Sequence, residues 1–289
     1  MTSTKRQTET AWEKSCAELL RVDSDFTLAD VDANSTPGFL GGKKKGKAEL
    51  AAAALDLDEK QERLFAASKG EATDAVLLVL QAMDTAGKGG IVRHVVGSVD
   101  PQGVTVAAFK APTKAELQHD FLWRIRKRLP EPGFIGVFDR SHYEDVLIAR
   151  VHGLVEPVEI ERRYGAILDF EKEIADRGIR IIKVMLHISA DEQKARLAER
   201  IDRPDKHWKF NPGDIDERQH WPEYQAAFQT MFERTSTDEA PWLVVPANKK
   251  WYARVAVQRL LIDTLTEIDP QWPPADFDVA EQKARLAAT

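Results

Sequence analysis

The chain has 289 residues, of which 43% are hydrophobic and 30% charged, the composition of an ordinary globular enzyme. Its formal net charge of −6 argues against a general nucleic-acid binder, because such proteins are usually basic, and its single cysteine, Cys16, excludes an intramolecular disulfide. The first residues show no signal peptide and no apolar run approaches the roughly 18 residues of a membrane span, so we expect a cytoplasmic protein that does not enter a membrane.

The first 48 residues are polar and weakly patterned, and we expect them to form an extended or partly helical N-terminal arm. The arm ends in the lysine run of residues 43–47. A flexible, solvated loop is the favoured interpretation of this run, and a role in guiding a polyanion is the alternative. From Ala48 to Ser68, apolar residues recur at spacings of three and four, which predicts a helix.

Beyond this helix, predicted strands alternate with predicted helices. The strands are Val76–Leu80, Val104–Phe109, Phe134–Phe138, Arg180–His187 and Trp242–Pro246. One helix begins near Lys88, and the others are Thr113–Arg128, Glu159–Arg177, Asp191–Ile201, Glu223–Arg234 and Lys249–Glu267. This alternation predicts an α/β domain over residues 49–268, with a parallel sheet covered on both faces. We expect a lid at about residues 190–222, where Arg203–Pro222 is irregular, and a C-terminal tail over 269–289.

The first strand runs into a segment of small residues, Ala82–Gly90, that precedes a helix. This is the setting of a P-loop, whose backbone N–H groups and helix N-terminus bind phosphate, and Lys88 would add a mobile positive charge. We expect phosphate contacts from the following loop residues: Thr85, Ala86, Gly87, Gly89 and Gly90. The usual pattern is broken twice, by Ala82 in place of glycine and by Gly89 in place of serine or threonine. An ordinary tight turn with an exposed lysine is the alternative.

Two aspartates are candidate metal ligands. Since Gly89 lacks the hydroxyl that normally binds Mg²⁺, Asp84 is the candidate replacement, with turn capping as the alternative. Asp139 ends an apolar strand, as in a Walker B motif, and two carboxylates with a phosphate between them suit a hard cation. The alternative for Asp139 is capping of a helix from His142 onward. Arg140 would stabilise charge on the transferring phosphoryl oxygens.

Four segments together resemble the polyphosphate kinase 2 family over roughly residues 45–265. They are Leu78–Gly90, Phe109–Thr113, Phe138–Asp145 and Glu199–Lys209. The sequence Ser-His-Tyr-Glu-Asp at 141–145 looks closest to the class-three branch, which is associated with phosphorylating nucleoside monophosphates and diphosphates. The resemblance implies a P-loop NTPase-like, three-layer α/β/α fold with a five-stranded parallel sheet and a helical lid, similar to thymidylate kinase. It also implies inorganic polyphosphate as donor, the adenine nucleotides AMP and ADP as acceptors, Mg²⁺ or alternatively Mn²⁺ as cofactor, and a homodimer or homotetramer.

On matching positions, the resemblance assigns metal binding or acceptor positioning to Asp84 and Asp139. It assigns phosphate contacts to Lys88, Lys110 and Arg140. For Lys110, an ordinary surface lysine is the alternative.

The remaining basic candidates lie on two predicted helices. Arg200 and Arg203 would be lid arginines, and their spacing places them on one helical face with Arg196. A solvated charged face is the alternative for this group. Arg124 either faces the acceptor nucleotide or only solvates its helix.

His142 is expected to position or pack, because a phosphate acceptor is already ionised and needs little proton abstraction. Trp208 and Trp221 are candidates for stacking on a base, with packing in the core or lid favoured. Two other functions share these features. One is a nucleoside monophosphate kinase that uses ATP, and the other is a polyanion-binding regulator with a degenerate P-loop and no activity.

Overall fold

The computed structural model describes residues 11–289 of the chain. Within them, a five-stranded sheet is built from β1 (Ala75–Ala82), β2 (Val104–Ala108), β3 (Ile135–Asp139), β4 (Ile179–His187) and β5 (Trp242–Pro246). The strand order is β2-β3-β1-β4-β5 and every neighbouring pair is parallel. The carboxyl ends of all strands therefore meet at one edge, where ligands of open α/β sheets bind.

Helices cover both faces of this sheet. The α-helices are α1 (Cys16–Leu20), α2 (Lys43–Ala67), α3 (Lys88–His94), α4 (Trp123–Arg126), α5 (Glu144–Val151), α6 (Pro157–Asp176), α7 (Ala190–Asp202), α8 (Gly213–Glu217), α9 (Trp221–Thr235), α10 (Lys250–Ile268) and α11 (Val279–Ala287). Short 3₁₀-helices lie at Leu28–Asp30, Val96–Ser98, Pro101–Gly103, Glu116–Gln118, Pro204–Lys209 and Arg218–His220. None of the helices in residues 11–289 has both the length and the apolar character needed to cross a bilayer.

The central strand β1 divides the core into two halves. Val76, Leu78 and Leu80 pack with α2, α3 and α10 on one face. Leu77 and Val79 pack with α5, α6 and α9 on the other. Successive side chains of a strand point to opposite faces, so a strand covered on both sides is apolar throughout. The predicted three-layer α/β/α fold with a five-stranded parallel sheet is confirmed.

The five strands lie within two residues of their predicted bounds, but the predicted helix Thr113–Arg128 is wrong. That segment contains only the 3₁₀-turn Glu116–Gln118 and the short helix α4. Thr113 and Glu116 cap each other, His119 is extended, and the Asp120 carboxylate accepts a hydrogen bond from the Leu122 N–H at 3.0 Å. These side-chain bonds compete with a continuous helix and start a new turn.

The lysine run is also structured, contrary to the expected flexible loop. It forms the first turns of α2, and its four lysines are exposed while Gly46 is buried. A side chain at Gly46 would overlap the indole ring of Trp251 on α10. The close approach of the two helices fixes this end of α2. The polar lysine run gave no sign of this contact, because the contact depends on a residue far away in the sequence.

The described part of the N-terminal arm, residues 11–42, packs on the body of the protein. Trp12 pairs with Phe39 in an antiparallel bridge, and Arg21 pairs with Leu243 of β5. This second contact covers the outer edge of β5, which an open sheet would otherwise expose.

Gly46→Ala should destabilise the protein by about 1–3 kcal/mol, because the added methyl group forces Trp251 out of its packing position. Gly165→Ala in α6 is the matched control. Its Cβ would meet no atom within 4 Å, so the change should stabilise the helix by about 0.5–1 kcal/mol. Denaturant unfolding of both variants measures the difference, and equal effects would contradict the packing described here.

Candidate active site

The phosphate loop connects β1 to α3 at the carboxyl edge of the sheet. Thr85 and Gly87 both have positive φ angles, of 66° and 126°, which turn the chain sharply before α3. The N–H groups of Gly90 and Ile91 bond to the Gly87 carbonyl, so the helix begins at once. The Lys88 ammonium lies folded over the loop and donates to the Ala82 carbonyl at 3.1 Å. The residues predicted for a P-loop therefore form one continuous loop around an open space.

This space is a cavity of about 440 Å³ with a strongly basic wall. Residues 84–91 form its floor, and Asp139 and Arg140 lie at one end. The further basic residues that line it are Arg93, His94, Arg196, Arg200, Lys206, Lys209, Lys250 and Arg254. Such a concentration of cations on an acidic protein suits a polyanion.

A larger cavity of about 1110 Å³ lies at the opposite edge, around the starts of β1 and β4. Its walls include the carboxylates of Asp74, Asp176 and Asp263. It lacks the phosphate loop and lies at the edge of the sheet where ligands of this architecture do not bind. The smaller, basic cavity is therefore the candidate active site.

Asp84 and Arg140 form the wall between this cavity and a second one. The Arg140 Nη2 donates to Asp84 Oδ1 at 2.8 Å, and Nη1 lies 3.7 Å from Glu144 Oε2. The second cavity, of about 250 Å³, is lined by Asp84, Arg140 and Glu144 together with the apolar side chains of Met83, Leu147, Ile148 and Phe228. Burial raises the pKa of Glu144, although Arg140 and Lys88 oppose the shift.

Asp139 lies at the end of β3, opposite Leu80 of β1 in the sheet register. It does not cap α5, which begins at Glu144 with Tyr143 as its N-cap residue. Asp84 and Asp139 both line the basic cavity, and carboxylate oxygens are ligands of the kind that Mg²⁺ accepts. Within residues 11–289, no group of three or more acidic, histidine or cysteine side chains could hold a metal ion. A hard cation held by two carboxylates would take its remaining ligands from other oxygens, such as those of phosphate and water.

Arg196 contributes to the loop itself and not to the basic face predicted for the lid. It is buried in α7, and all five of its N–H groups are used. They donate to the carbonyls of Thr85, Ala86, Ala247 and Asn248 at 2.6–3.0 Å and to the Glu192 carboxylate at 2.7 Å. No donor is left for a phosphate, so the interpretation of Arg196 as a member of that basic face is wrong.

Three predicted phosphate contacts, Lys110, Arg124 and Arg203, do not line the basic cavity. Arg124 is buried and donates to the Lys110 carbonyl at 2.8 Å and to Asp145 at 3.4 Å. It therefore neither solvates a helix nor reaches the cavity. Lys110 is exposed, and Arg203 is half-exposed and pairs with Glu199 and Asp205. Phosphate contacts of Lys110, Arg124 and Arg203 stay predictions.

Arg200 does line the basic cavity, from the last turn of α7. Its Nη1 lies 3.2 Å from the Lys209 carbonyl and 3.4 Å from Asp214. Within the lid, the packing prediction is wrong for Trp208, which is 79% exposed. Trp221 is half-buried and packs against both halves of the core.

The far wall of the basic cavity contains Arg93, His94 and Arg254, which the sequence patterns did not single out. Burial, Arg254 and Arg93 lower the pKa of His94, and burial and Arg93 lower the pKa of Arg254. The effects of Arg93 and Arg254 on these pKa values show that the basic groups lie close together, and no ion pair joins Arg93 or Arg254 to a carboxylate among residues 11–289. Arg93 and His94 follow the loop by one turn of helix, a signal available in the sequence. Arg254 is brought there only by the folding of α10 against Gly90.

Arg196→Met should lower the free energy of unfolding by about 3 kcal/mol or more, because several buried carbonyls lose their donors. It should also weaken phosphate binding through distortion of Thr85 and Ala86. Arg203→Met, at the exposed C-terminal end of the same helix, is the control and should leave stability nearly unchanged. Chemical denaturation measures both, and a fully stable Arg196→Met protein would contradict the role given to Arg196.

Comparison with known proteins identifies the family to which this chain belongs. The model of the Polyphosphate kinase 2 family matches residues 41–273. The AMP/ADP-polyphosphate phosphotransferase of Meiothermus ruber is 45% identical over 251 residues, which cover 87% of this chain and 92% of the relative. The ADP-polyphosphate phosphotransferase of Rhodopseudomonas palustris is 42% identical over 229 residues, covering 75% and 78%.

A solved structure shows the same likeness in three dimensions. The crystal structure of Polyphosphate Kinase 2 from Arthrobacter aurescens TC1 is 58% identical, with a TM-score of 0.95, and the match covers 97% of this chain and 99% of that one. The family resemblance carried by the four sequence segments is thus confirmed over most of the chain. This chain belongs to the polyphosphate kinase 2 family.

Proposed function

We propose that this enzyme transfers the terminal phosphoryl group of inorganic polyphosphate to AMP and ADP, in a reversible reaction. The observation that carries the proposal is the shared wall of Asp84 and Arg140 between two cavities of different character. The basic cavity suits a long polyanion, and the smaller cavity has the apolar side chains that a nucleoside needs. The names of the relatives from Meiothermus ruber and Rhodopseudomonas palustris support both substrate classes.

The proposed chemistry is a direct in-line displacement. A terminal oxygen of the nucleotide phosphate forms a bond to the end phosphorus of polyphosphate, and the bridging P–O bond breaks toward the shortened chain. Charge on the transferring group spreads over its three equatorial oxygens, so catalysis is mainly positioning and electrostatic stabilisation. Lys88, Arg140 and the loop N–H groups of residues 85–90 supply that stabilisation, and Arg200 and Arg203 join it from the lid.

No proton has to be removed from an ionised phosphate acceptor, and the site reflects this. His142 is fully buried and lies against Glu171, away from both cavities, so it cannot serve as a base. This position supports the packing or positioning role expected for it.

Asp84 and Asp139 would hold a divalent cation, Mg²⁺ or Mn²⁺. Such a cation neutralises phosphate oxygens when bound, and carboxylates facing phosphate need that neutralisation. A cytoplasmic location fits the proposed substrates. The homodimer or homotetramer implied by the family stays a prediction.

The phosphoryl donor that the protein accepts distinguishes this function from the two alternatives, an ATP-dependent nucleoside monophosphate kinase and an inactive regulator. Purified protein given Mg²⁺, long-chain polyphosphate and AMP or ADP, with no ATP present, should form ADP or ATP detectable by chromatography. Formation of ADP from AMP only when ATP is supplied would instead indicate an ATP-dependent nucleoside monophosphate kinase. Binding of polyphosphate without any product would indicate a regulator.

The matched inactive variant for this assay is Asp139→Asn. It keeps the size of the side chain but removes its charge, so turnover should fall at least about a hundredfold while the fold survives. Circular dichroism verifies the fold, and near-normal turnover would refute the role of Asp139.

Arg254→Met should raise the KM for polyphosphate about tenfold, because a charged hydrogen bond to the donor is lost. The KM for ADP should change little, since Arg254 lies on the wall away from the nucleotide cavity. Arg259→Met on the same helix, where Arg259 pairs with Asp263 at 2.7 Å, is the control and should change neither value. Equal shifts in both KM values of Arg254→Met would contradict this division of the site.

A further inference from the structure

A buried ion pair lies in the core beneath the catalytic segment. The Lys183 Nζ of β4 donates to Glu171 Oε2 of α6 at 2.7 Å, to the Tyr143 hydroxyl at 3.1 Å and to the Thr235 carbonyl at 2.6 Å. The Tyr143 hydroxyl in turn donates to Glu171 Oε1 at 2.6 Å. We call Tyr143, Glu171 and Lys183 the positioning triad. All three side chains are buried, and every N–H of Lys183 has a partner.

The triad is continuous with the residues that surround the transfer site. Tyr143 follows Arg140 by three positions, and its N–H donates to the buried Ser141 hydroxyl at 3.2 Å. The Ser141 hydroxyl bonds to the side-chain amide of Gln81 at 2.9 Å. Gln81 immediately precedes Ala82, where the phosphate loop begins. In the orientation that satisfies both neighbours, the same amide donates to Glu144 at 2.8 Å.

Arg140 needs such support because its backbone is in an unfavourable conformation. Its φ angle is 64°, in the left-handed region that side chains other than glycine seldom adopt. Residues keep such angles only where their surroundings determine them, and they gather at functional sites. Here the angle directs the guanidinium to Asp84, on the wall between the two cavities.

We propose that the positioning triad holds Arg140 in this conformation for the transfer step. The inference rests on the proposed phosphoryl transfer, in which Arg140 stabilises the moving group. Tyr143, Glu171 and Lys183 touch no substrate, so they act through Arg140. An apolar core would pack Tyr143 equally well, but directional hydrogen bonds to a buried ion pair also fix the position of its hydroxyl.

Tyr143→Phe tests the proposal because it removes one hydroxyl and leaves the Glu171–Lys183 pair intact. We expect kcat to fall about tenfold, with the KM for polyphosphate and for ADP unchanged within about twofold, because Arg140 is proposed to stabilise charge that develops in the transfer step. Tyr252→Phe is the matched control. Tyr252 is also fully buried, and its hydroxyl donates one hydrogen bond, at 2.8 Å, to the Pro37 carbonyl. It should lose comparable thermal stability and keep its kcat. Equal losses of kcat in both variants, or none in Tyr143→Phe, would overturn the proposal.

A double-mutant comparison tests whether Tyr143 acts through Arg140. In an Arg140→Ala background, Tyr143→Phe should lower the remaining turnover less than twofold, because the group it positions is gone. A second loss of about tenfold would show that Tyr143 acts independently of Arg140, and the proposal would be wrong.

A crystal structure of Tyr143→Phe gives a readout that does not depend on activity. The Arg140 φ angle should become negative and its contact with Asp84 should be lost, whereas Tyr252→Phe should keep both. An unchanged Arg140 would overturn the positioning role even if wild-type transfer is normal. If the wild-type protein itself transfers nothing from polyphosphate, the proposed function fails and the structure alone decides the positioning role.

Discussion

Repulsion between phosphate groups is the constraint on which this architecture depends. A polyphosphate chain and a nucleotide both carry several negative charges, and their ends must meet for a phosphoryl group to pass between them. In the proposed mechanism, basic residues surround the donor, and a single arginine, Arg140, lies on the wall that the two cavities share. Asp84 keeps that arginine in place and joins Asp139 as the proposed ligand of a divalent cation, so attraction and orientation come from the same few atoms.

The arginines of the site form two classes. In one class the N–H groups already donate to acceptors in the protein, and in the other they do not. Arg196 bonds to four carbonyls and a carboxylate and therefore shapes the phosphate loop. Arg254 has no carboxylate partner in the described part of the chain and lies half-buried beside Gly90. A partly buried cation that has no carboxylate partner in the protein is stabilised when it binds an anionic ligand. An arginine whose N–H groups all have acceptors in the protein is thus assigned a structural role, and one with unused N–H groups is a candidate for substrate binding. The charge of the side chain and its spacing in the sequence do not make this distinction.

The sequence predicted what depends on local pattern. Strands buried on both faces are apolar throughout, and the small residues of the phosphate loop follow such a strand, so β1, β3 and Asp139 were found without knowledge of the fold. Features that depend on contacts between distant parts of the chain were missed. Gly46 packs against Trp251, more than 200 positions away, and Arg196 donates to carbonyls of two separate loops. Arg254 and the positioning triad likewise come together only through packing. The helix predicted over Thr113–Arg128 failed for a local reason, since its own polar side chains start a second turn.

The saturation of Arg196 has a second consequence, for the segment that follows it. Helix α7 carries Arg196 near its middle and Arg200 in its last turn, and it leads directly into the segment Pro204–Lys209. Because Arg196 ties α7 both to the phosphate loop and to the turn after β5, that part of the helix is anchored at the carboxyl edge of the sheet. Arg200 lies one helical turn beyond this anchor, and Lys206 and Lys209 follow it along the same cavity. The side chain that shapes the phosphate loop therefore also fixes the start of the segment that brings three further cations to that loop.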